Sequence, residues 1–334
     1  MIKAAVVGSG IGLKHLDALK KSGVVRIKYL CEKDLKKASQ LRKTIKDKNI
    51  EVITSDRKIF RDESIELVCI ASYDNYHYKQ ILSCIKSKKH FFVEKPMCLD
   101  SNELKHIHNL IKKNKKVFFS SNLVLRTNDL FNKIKKKTNL NDLFYIEGDY
   151  IWGRLHKLFN WRSRIPNYSI ILGASIHMID LINWILGMKP EKIYAQGNKI
   201  LTKKTKFKKD SFIVLILKFK NGVIAKVTAN STDNYQHYHE LKIFEKKKTV
   251  LSNIIGKKII KKKDNKVSFF NISGKYPDKE NRYKLLSDFV RTLKNKNTIK
   301  KQFIMKENFD LMSICLSGIK SLQSNKEVKI KYLK

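Results

Sequence analysis

The strongest constraint on the fold lies in the first twenty residues. Ile2 to Val7 is a β-branched, alanine-containing run, the pattern of a strand buried on both faces. Gly8-Ser9-Gly10-Ile11-Gly12 follows without a spacer. Leu13, Leu16 and Leu19 then recur at helical spacing, with Lys14, Asp17 and Lys20 between them. Strand, glycine turn and helix, in that order, make a backbone cradle for a pyrophosphate. Gly8 permits the tight turn, Gly10 lets the main chain approach the ligand, and the helix N-terminus presents its free N–H groups. The pattern departs from G-x-G-x-x-G, because position 13 is Leu and Gly12 comes one residue early.

The next segments extend the same design. Val25 to Cys31 reads as a second strand that ends in Glu32, 24 residues past Gly8. A dinucleotide fold places a ribose-binding carboxylate at about that point. A carboxylate there repels a 2′-phosphate, so NAD is expected over NADP. Lys33 weakens that expectation, and Glu32 reads almost as well as a helix-start residue. Helices over Asp34–Lys43, Tyr76–Ser87 and Ser101–Lys113 alternate with strands over Glu51–Thr54, Glu66–Ala71, His90–Val93 and Lys116–Ser121. Such alternation predicts an α/β, doubly wound parallel sheet over residues 1–121. Pro96 stops the His90–Val93 strand and holds Lys95 extended at its carboxyl end. Ligands bind in the crevice at that end of the strands, where a fixed lysine can hydrogen-bond a substrate oxygen. Ala71, Ser72, Tyr73 and His77 leave the preceding strand and should border the same crevice. His77 alone reads better as a core or capping histidine.

From residue 122 the pattern changes. Arg126–Lys137 looks helical, and Leu143–Tyr150, Phe212–Phe219, Val223–Asn230 and Glu240–Phe244 look like strands, with a hairpin turn at Asn221-Gly222. Residues 281–295 and 305–323 read as late helices, and the Lys-rich segment 256–266 as a solvated edge or loop. Residues 122–334 are expected to form an α+β domain with a large, mostly antiparallel open sheet. Polar and aromatic groups crowd the stretch from Trp152 to Arg164, including Lys157, Trp161 and Arg162, which suggests recognition. His177 and Asp180 are three apart, on one face of a helix running to Gly187. A histidine backed by an acid can act as a general base. Taken alone, His177 reads better as a satisfied core histidine.

Composition decides among function classes. The net charge of +41 suggests nucleic acid or an anionic membrane. The excess, however, comes from 61 Lys against 10 Arg, spread over almost the whole chain. Arginine is the preferred bidentate reader of bases and phosphates. A solvated surface under codon bias is therefore favoured over a nucleic-acid site. Ser169–Gly187 approaches membrane-span length but contains His177, Asp180 and Asn183, so it reads as a loop and buried helix. Five scattered cysteines without a C-x-x-C pair fit free thiols in a reducing compartment, and no metal site is expected. Met1-Ile2-Lys3 leads straight into a strand, so no signal peptide is expected.

Taken together, these residues resemble the Gfo/Idh/MocA family, which includes glucose–fructose oxidoreductase and inositol dehydrogenase. The matches run in order through Val6-Val7-Gly8-Ser9-Gly10 and His15-Leu16; Ala71-Ser72 to His77, where the family usually has A-T-P-x-x-x-H; Glu94-Lys95-Pro96; and Gly173-Ala-Ser-Ile-His177-Met-Ile-Asp180-Leu with Trp184 and Gly187. The resemblance implies a Rossmann domain followed by an α/β domain with a large open sheet. It also implies hydride transfer between NAD or NADP and a hydroxyl carbon of a sugar, cyclitol or nucleotide sugar. Carried over, Lys95 binds the reacting oxygen and His177 takes or returns its proton. Gly8, Gly10, Ile11, Gly12, Glu32, Ala71, Ser72, Tyr73, His77, Glu94 and Lys95 make the candidate cofactor set. Lys95, Arg126, Trp152, Lys157, Trp161, Arg162, His177 and Asp180 make the candidate substrate set. Two departures stand out: Gly173 replaces the Asp of D-x-G-x-H, and Tyr73 stands where Pro is common. The expectation is a cytoplasmic oxidoreductase that forms a homodimer or homotetramer. A catalytically silent NAD-binding sensor of the same fold is the alternative, with Gly173 as its best support.

Overall fold

The structure is a computed structural model. It describes residues 1–231, 234, 236–263, 266–274, 276 and 281–334. They form two compact units, Met1–Asn122 with Glu280–Phe309, and Leu123–Lys279 with Asp310–Lys334.

In the first unit, β1 (Ile2–Val7), α1 (Gly12–Lys21), β2 (Val25–Cys31), α2 (Leu35–Thr44), β3 (Glu51–Ile53), α3 (Arg57–Arg61), β4 (Leu67–Ile70), α4 (Asp74–Lys86), β5 (His90–Val93), α5 (Ser101–Lys113) and β6 (Phe119–Ser121) alternate along the chain. The strands form one parallel sheet in the order β3-β2-β1-β4-β5-β6. Order reverses between β1 and β4, which is the switch point where such sheets bind ligands. All four residues of β4 are buried, as are Phe91 to Val93 of β5. This is why the strands read as unbroken apolar runs.

The second unit runs through a 3-10 turn (Val124–Thr127), α6 (Asp129–Lys137), β7 (Leu143–Ile151), two more 3-10 turns (Leu155–Leu158 and Trp161–Arg164), a π turn (Ile171–Ser175) and α7 (Ile176–Leu186). Then come β8 (Lys192–Asn198), β9 (Phe212–Lys218), β10 (Ile224–Asn230), β11 (Tyr238–Glu245), β12 (Lys248–Ser252), β13 (Lys257–Lys263) and β14 (Lys266–Asn271). The chain continues with α8 (Asn281–Lys294), α9 (Thr298–Ser324) and β15 (Val328–Lys329). Among the described residues the sheet order is β14-β13-β12-β11-β7-β10-β9-β8-β15, and every neighbouring pair is antiparallel except β7 with β10. Helix α7 lies on β7 where Gly148 leaves room for it. A Cβ at 148 would stand 2.9 Å from the Met178 terminal methyl and 3.1 Å from Ile182 Cδ1.

Among the differences from the sequence reading, which include the unread α3, β8 and β12 and an α9 that begins at Thr298, three bear on packing. Arg126 sits in a 3-10 turn, and the helix begins only at Asp129, where the Asn128 side chain accepts from Leu130 N–H as an N-cap. The Lys-rich segment is neither bare edge nor loop. Ile259 pairs opposite Val250, so residues 257–263 join the sheet, and β14 is the exposed edge beyond them. The third is the return of residues 281–309 to the first unit, which a single division after residue 121 does not provide for. Leu286, Phe289, Val290 and Leu293 form the inward stripe of α8. Phe289 meets Phe92 edge-on at 5.3 Å and stacks on Phe118 at 5.1 Å. Each of these side chains is worth about 1.5–3 kcal/mol when fully buried, which outweighs any local preference of the segment.

Candidate functional site

In the first unit the candidate residues line up along the carboxyl edge of the sheet. Gly8 N–H donates to Cys31 O at 2.8 Å, and Ala71 N–H donates to Val7 O at 2.8 Å, so the glycine turn is wedged between the exits of β2 and β4. Gly8 has φ +93°, and a Cβ there would lie 2.4 Å from Ala71 O. No side chain fits at that position. Gly10 has nothing within 4 Å of where a Cβ would be, leaving open space over the turn for a ligand. Glu32 faces the turn. It accepts from the Ser9 hydroxyl and from Ser9 N–H at 3.2 Å, while Asp34 N–H binds its other oxygen at 3.0 Å. Burial pushes the Glu32 carboxyl up, but these donors outweigh it and hold the group below its ordinary range. Beside it, the Lys33 ammonium lies 4.3 Å from the Tyr76 ring centre.

The turn after β5 is fixed from several sides. Glu94 N–H extends the ladder to Ile70 O, and the Lys95-Pro96 peptide is cis. Glu94 accepts from the Asn122 amide at 2.7 Å, and its Oε1 also lies 2.7 Å from His15 Nε2. Burial alone would raise the Glu94 carboxyl, and the His15 bond brings it below its usual range. His77 is fully buried, with Nδ1 2.7 Å from Pro96 O and Nε2 3.1 Å from Ser72 O. It therefore ties the Lys95-Pro96 turn to the exit of β4, as the core reading of this histidine anticipated. Ser72 donates to Gln80, while Tyr73 lies exposed at the start of α4. Ile11 precedes α1 and Gly12 opens it, packed beneath the turn against Val6 and Ala71. The open backbone over Gly10, with Glu32 at the end of β2, fits a dinucleotide, whose pyrophosphate and ribose these groups would hold.

In the second unit, His177 occupies the first turn of α7, immediately after the π turn, and is 8% exposed. It stacks on Tyr150 of β7, with centroids 5.7 Å apart and planes at 10°. His239 packs edge-on to Tyr150 at 4.4 Å and lies 5.8 Å from His177, with His237 5.0 Å beyond it. His239 Nδ1 also hydrogen-bonds the Tyr276 hydroxyl. The sequence reading passed over His237 and His239. The signal was present in the H-x-H spacing at the start of β11, which sends both side chains to one face. Asp180 is 1% exposed and held by Arg126 through Nε at 3.0 Å to both oxygens and Nη2 at 2.6 Å to Oδ1. Two candidate substrate residues thus form a bidentate pair with each other.

The loop expected to serve recognition follows β7 directly, tied by Trp152 N–H to Asn230 O at 2.7 Å. Arg162 lies against three rings, with its guanidinium carbon 4.2 Å from Trp161, 5.2 Å from Trp152 and 5.9 Å from Tyr168. Its Nε donates to the Tyr168 hydroxyl at 3.0 Å. Lys157 is partly buried nearby. Burial first, then Arg154 and Arg162, lower its ammonium pKa. Burial raises the Tyr150 phenol to about 12, with Arg154 and Arg162 pulling the other way.

All five cysteines are buried free thiols. Among the described residues no group of three or more His, Cys, Asp or Glu could hold a metal ion. Among them, too, no helix is long and apolar enough to cross a membrane.

Comparison with known proteins bears on both units. Residues 2–122 match the oxidoreductase family with an NAD-binding Rossmann fold, and residues 133–251 match the GFO/IDH/MocA C-terminal domain. Myo-inositol 2-dehydrogenase of Thermotoga maritima is 24% identical over 209 residues, 59% of this chain and 59% of that relative's length. The solved scyllo-inositol dehydrogenase of Lactobacillus casei, with NAD(H) and scyllo-inositol bound, superposes with a TM-score of 0.79 at 18% identity, over 98% of this chain and 99% of that one. A levoglucosan dehydrogenase in complex with NADH gives 0.81 at 15% identity, over 99% and 100%. The two superpositions establish the fold, and the two family matches together span most of the chain. It belongs to the Gfo/Idh/MocA family of oxidoreductases.

Proposed function

We propose that the protein is an NAD-dependent dehydrogenase or reductase acting on a secondary hydroxyl carbon of a sugar, cyclitol or nucleotide sugar. The observation that carries this reading is the carboxyl edge of the first sheet. Lys95 leaves β5, which neighbours β4, and the exit of β4 abuts the Gly8 turn. A fixed cation therefore lies on the same edge as a backbone cradle for a dinucleotide. The relatives support a ring-bearing polyol, since they act on myo-inositol or hold scyllo-inositol, or carry the name of levoglucosan.

Oxidation breaks one O–H and one C–H bond at the reacting carbon. His177 takes the hydroxyl proton, and Lys95 hydrogen-bonds the oxygen as it becomes a carbonyl. Bound NAD supplies the hydride acceptor. Tyr150 orients the His177 ring by stacking, while Gly8, Gly10, Ile11 and Gly12 receive the pyrophosphate. Glu32 binds the adenosine ribose and disfavours a 2′-phosphate. Reduction runs the same steps backwards. A homodimer or homotetramer in the cytoplasm, assembled through the large sheet, completes the reading by family analogy.

The test is nicotinamide reduction with a panel of polyols and nucleotide sugars. Lys95→Ala and His177→Ala should each lower kcat/KM by about 10²–10⁴-fold, the range for a lost acid–base group. Normal turnover in either variant, with NADH still bound, overturns the residue assignment. NADH binding by the wild type with no turnover across the panel favours the sensor reading instead.

A further inference from the structure

The sequence has ten arginines, and three of them, Arg154, Arg162 and Arg164, fall within eleven residues. The bias that fills this chain with lysine does not account for that. Arg154, Lys157 and Arg162 are all partly buried, and the two arginines are close enough to act on the Lys157 ammonium, yet none of the three has a carboxylate partner among the described residues. The acids of β7 and α7, the elements that flank this loop, have other partners. Asp180 goes to Arg126, and Glu147 and Asp149 lie on the opposite face of β7 from Tyr150, bridged to Lys226 and Lys242. Partly buried like charges repel one another, and the cost is relieved when an anion joins them.

Gly173 supplies a second, independent observation. A Cβ at 173 would stand 2.1 Å from the Tyr168 hydroxyl oxygen and 2.9 Å from its Cζ. No aspartate fits there while Tyr168 keeps its place, and Tyr168 is only 3% exposed. Where D-x-G-x-H would set a carboxylate four residues before His177, this chain sets a phenol bonded to the Arg162 guanidinium. A negative group is gone and a positive one has been brought in. Arg162 keeps its Nη donors, because Tyr168 takes only Nε and the Trp161 and Trp152 contacts are ring contacts that accept no N–H hydrogen bond.

We infer that Arg154, Lys157 and Arg162, set against Trp152, Trp161 and Tyr168, form a subsite for a carboxylate or phosphate on the substrate, which is therefore an acidic derivative of a sugar or cyclitol. This deepens the oxidoreductase reading and rests on it for the word substrate, but the anion site itself can be tested by binding alone.

The test is calorimetric titration of the full chain, saturated with NADH, at low and high salt. The probes are a neutral hexose, the matching hexuronate, the hexose phosphate and the nucleoside-diphosphate hexose. The wild type should bind at least one acidic probe ten-fold or more tightly than the neutral hexose, with a preference that salt weakens. Lys157→Met and Arg154→Gln should each cut that preference ten-fold or more. Arg162→Lys keeps the charge without the fork and should cut it less. Retained NADH binding and an unchanged circular dichroism spectrum guard against misfolding. The acidic probe that wins identifies the group as carboxylate, phosphate monoester or diphosphate. Absence of any acidic preference, or its persistence in both charge-removing variants, overturns the inference. If acidic probes bind through these cations but no hydroxyl is oxidised, the oxidoreductase reading falls and the subsite stands. If neutral polyols are oxidised without any acidic preference, the subsite falls and the oxidoreductase reading stands.

Discussion

The glycine turn of the first unit and the basic loop of the second contrast in which part of the chain presents the proposed binding groups. At the turn the main chain does it. Gly8 is fixed by its own conformation and by its N–H bond to Cys31 O, and what matters is which atoms are missing. At the loop the side chains do it. Arg162 is placed by Trp152, Trp161 and Tyr168, and His177 by Tyr150 from one strand and His239 from another. A backbone site depends on one short segment and varies little in what it accepts. A side-chain site is assembled from distant segments and can be retuned one residue at a time.

Four experiments would break or sharpen that contrast. The largest effect should come where a partly buried guanidinium balances a buried carboxylate. Arg126→Ala strips Asp180 of its guanidinium and should cost about 3–5 kcal/mol in a denaturant titration. An Arg126→Met, Asp180→Leu double variant should recover most of that loss, and failure to recover would mean the pair is not the cause. Next, Gly8→Ala forces a side chain into positive φ against Ala71 O and should cost about 1–3 kcal/mol of stability, together with NADH affinity. Gly10→Ala should change stability by less than about 0.5 kcal/mol and weaken only NADH binding. Equal thermal shifts for the two would sink the idea that the first glycine serves the fold and the second the ligand. Third, Glu32→Gln should move the NADP-to-NAD selectivity about ten-fold towards NADP, roughly 1.4 kcal/mol, measured as a ratio of kcat/KM values. Last comes the pH dependence of anion affinity. The pKa of Lys157 is lowered by burial and its cationic neighbours, so its charge is present below that value and lost above it. Affinity for an acidic probe should therefore fall a few-fold as pH rises, before the ordinary lysine range is reached, and Lys157→Met should flatten that limb.

The same contrast explains what could be read from the chain. The parallel strands were legible because burial on both faces leaves continuous apolar runs, as in Leu67 to Ile70. The glycine turn was legible because sterics admit only one residue type at Gly8. The end of β5 and the turn that carries Lys95 were legible through Pro96. The partners of the second unit were not. Nothing local to Gly173 says that Tyr168, five residues earlier, folds back over it, because only a three-dimensional turn makes them neighbours. The Arg126–Asp180 pair spans 54 residues, and neither residue announces the other. His237 and His239 could have been flagged by their spacing, but only once residues 238–245 were known to be a strand beside β7. Residues 281–295 read as a helix, but that reading could not say which core would take its apolar stripe.

That stripe has a consequence for the order in which the molecule is made. A ribosome releases β1 to β6 long before it reaches Leu286 and Phe289. Until then Phe92 and Phe118 lack the aromatic ring that packs against both of them in the finished core. The first unit is therefore completed only after β7 to β14 of the second have been made. Until α8 arrives it is an unfinished sheet with part of its apolar face still waiting for its cover.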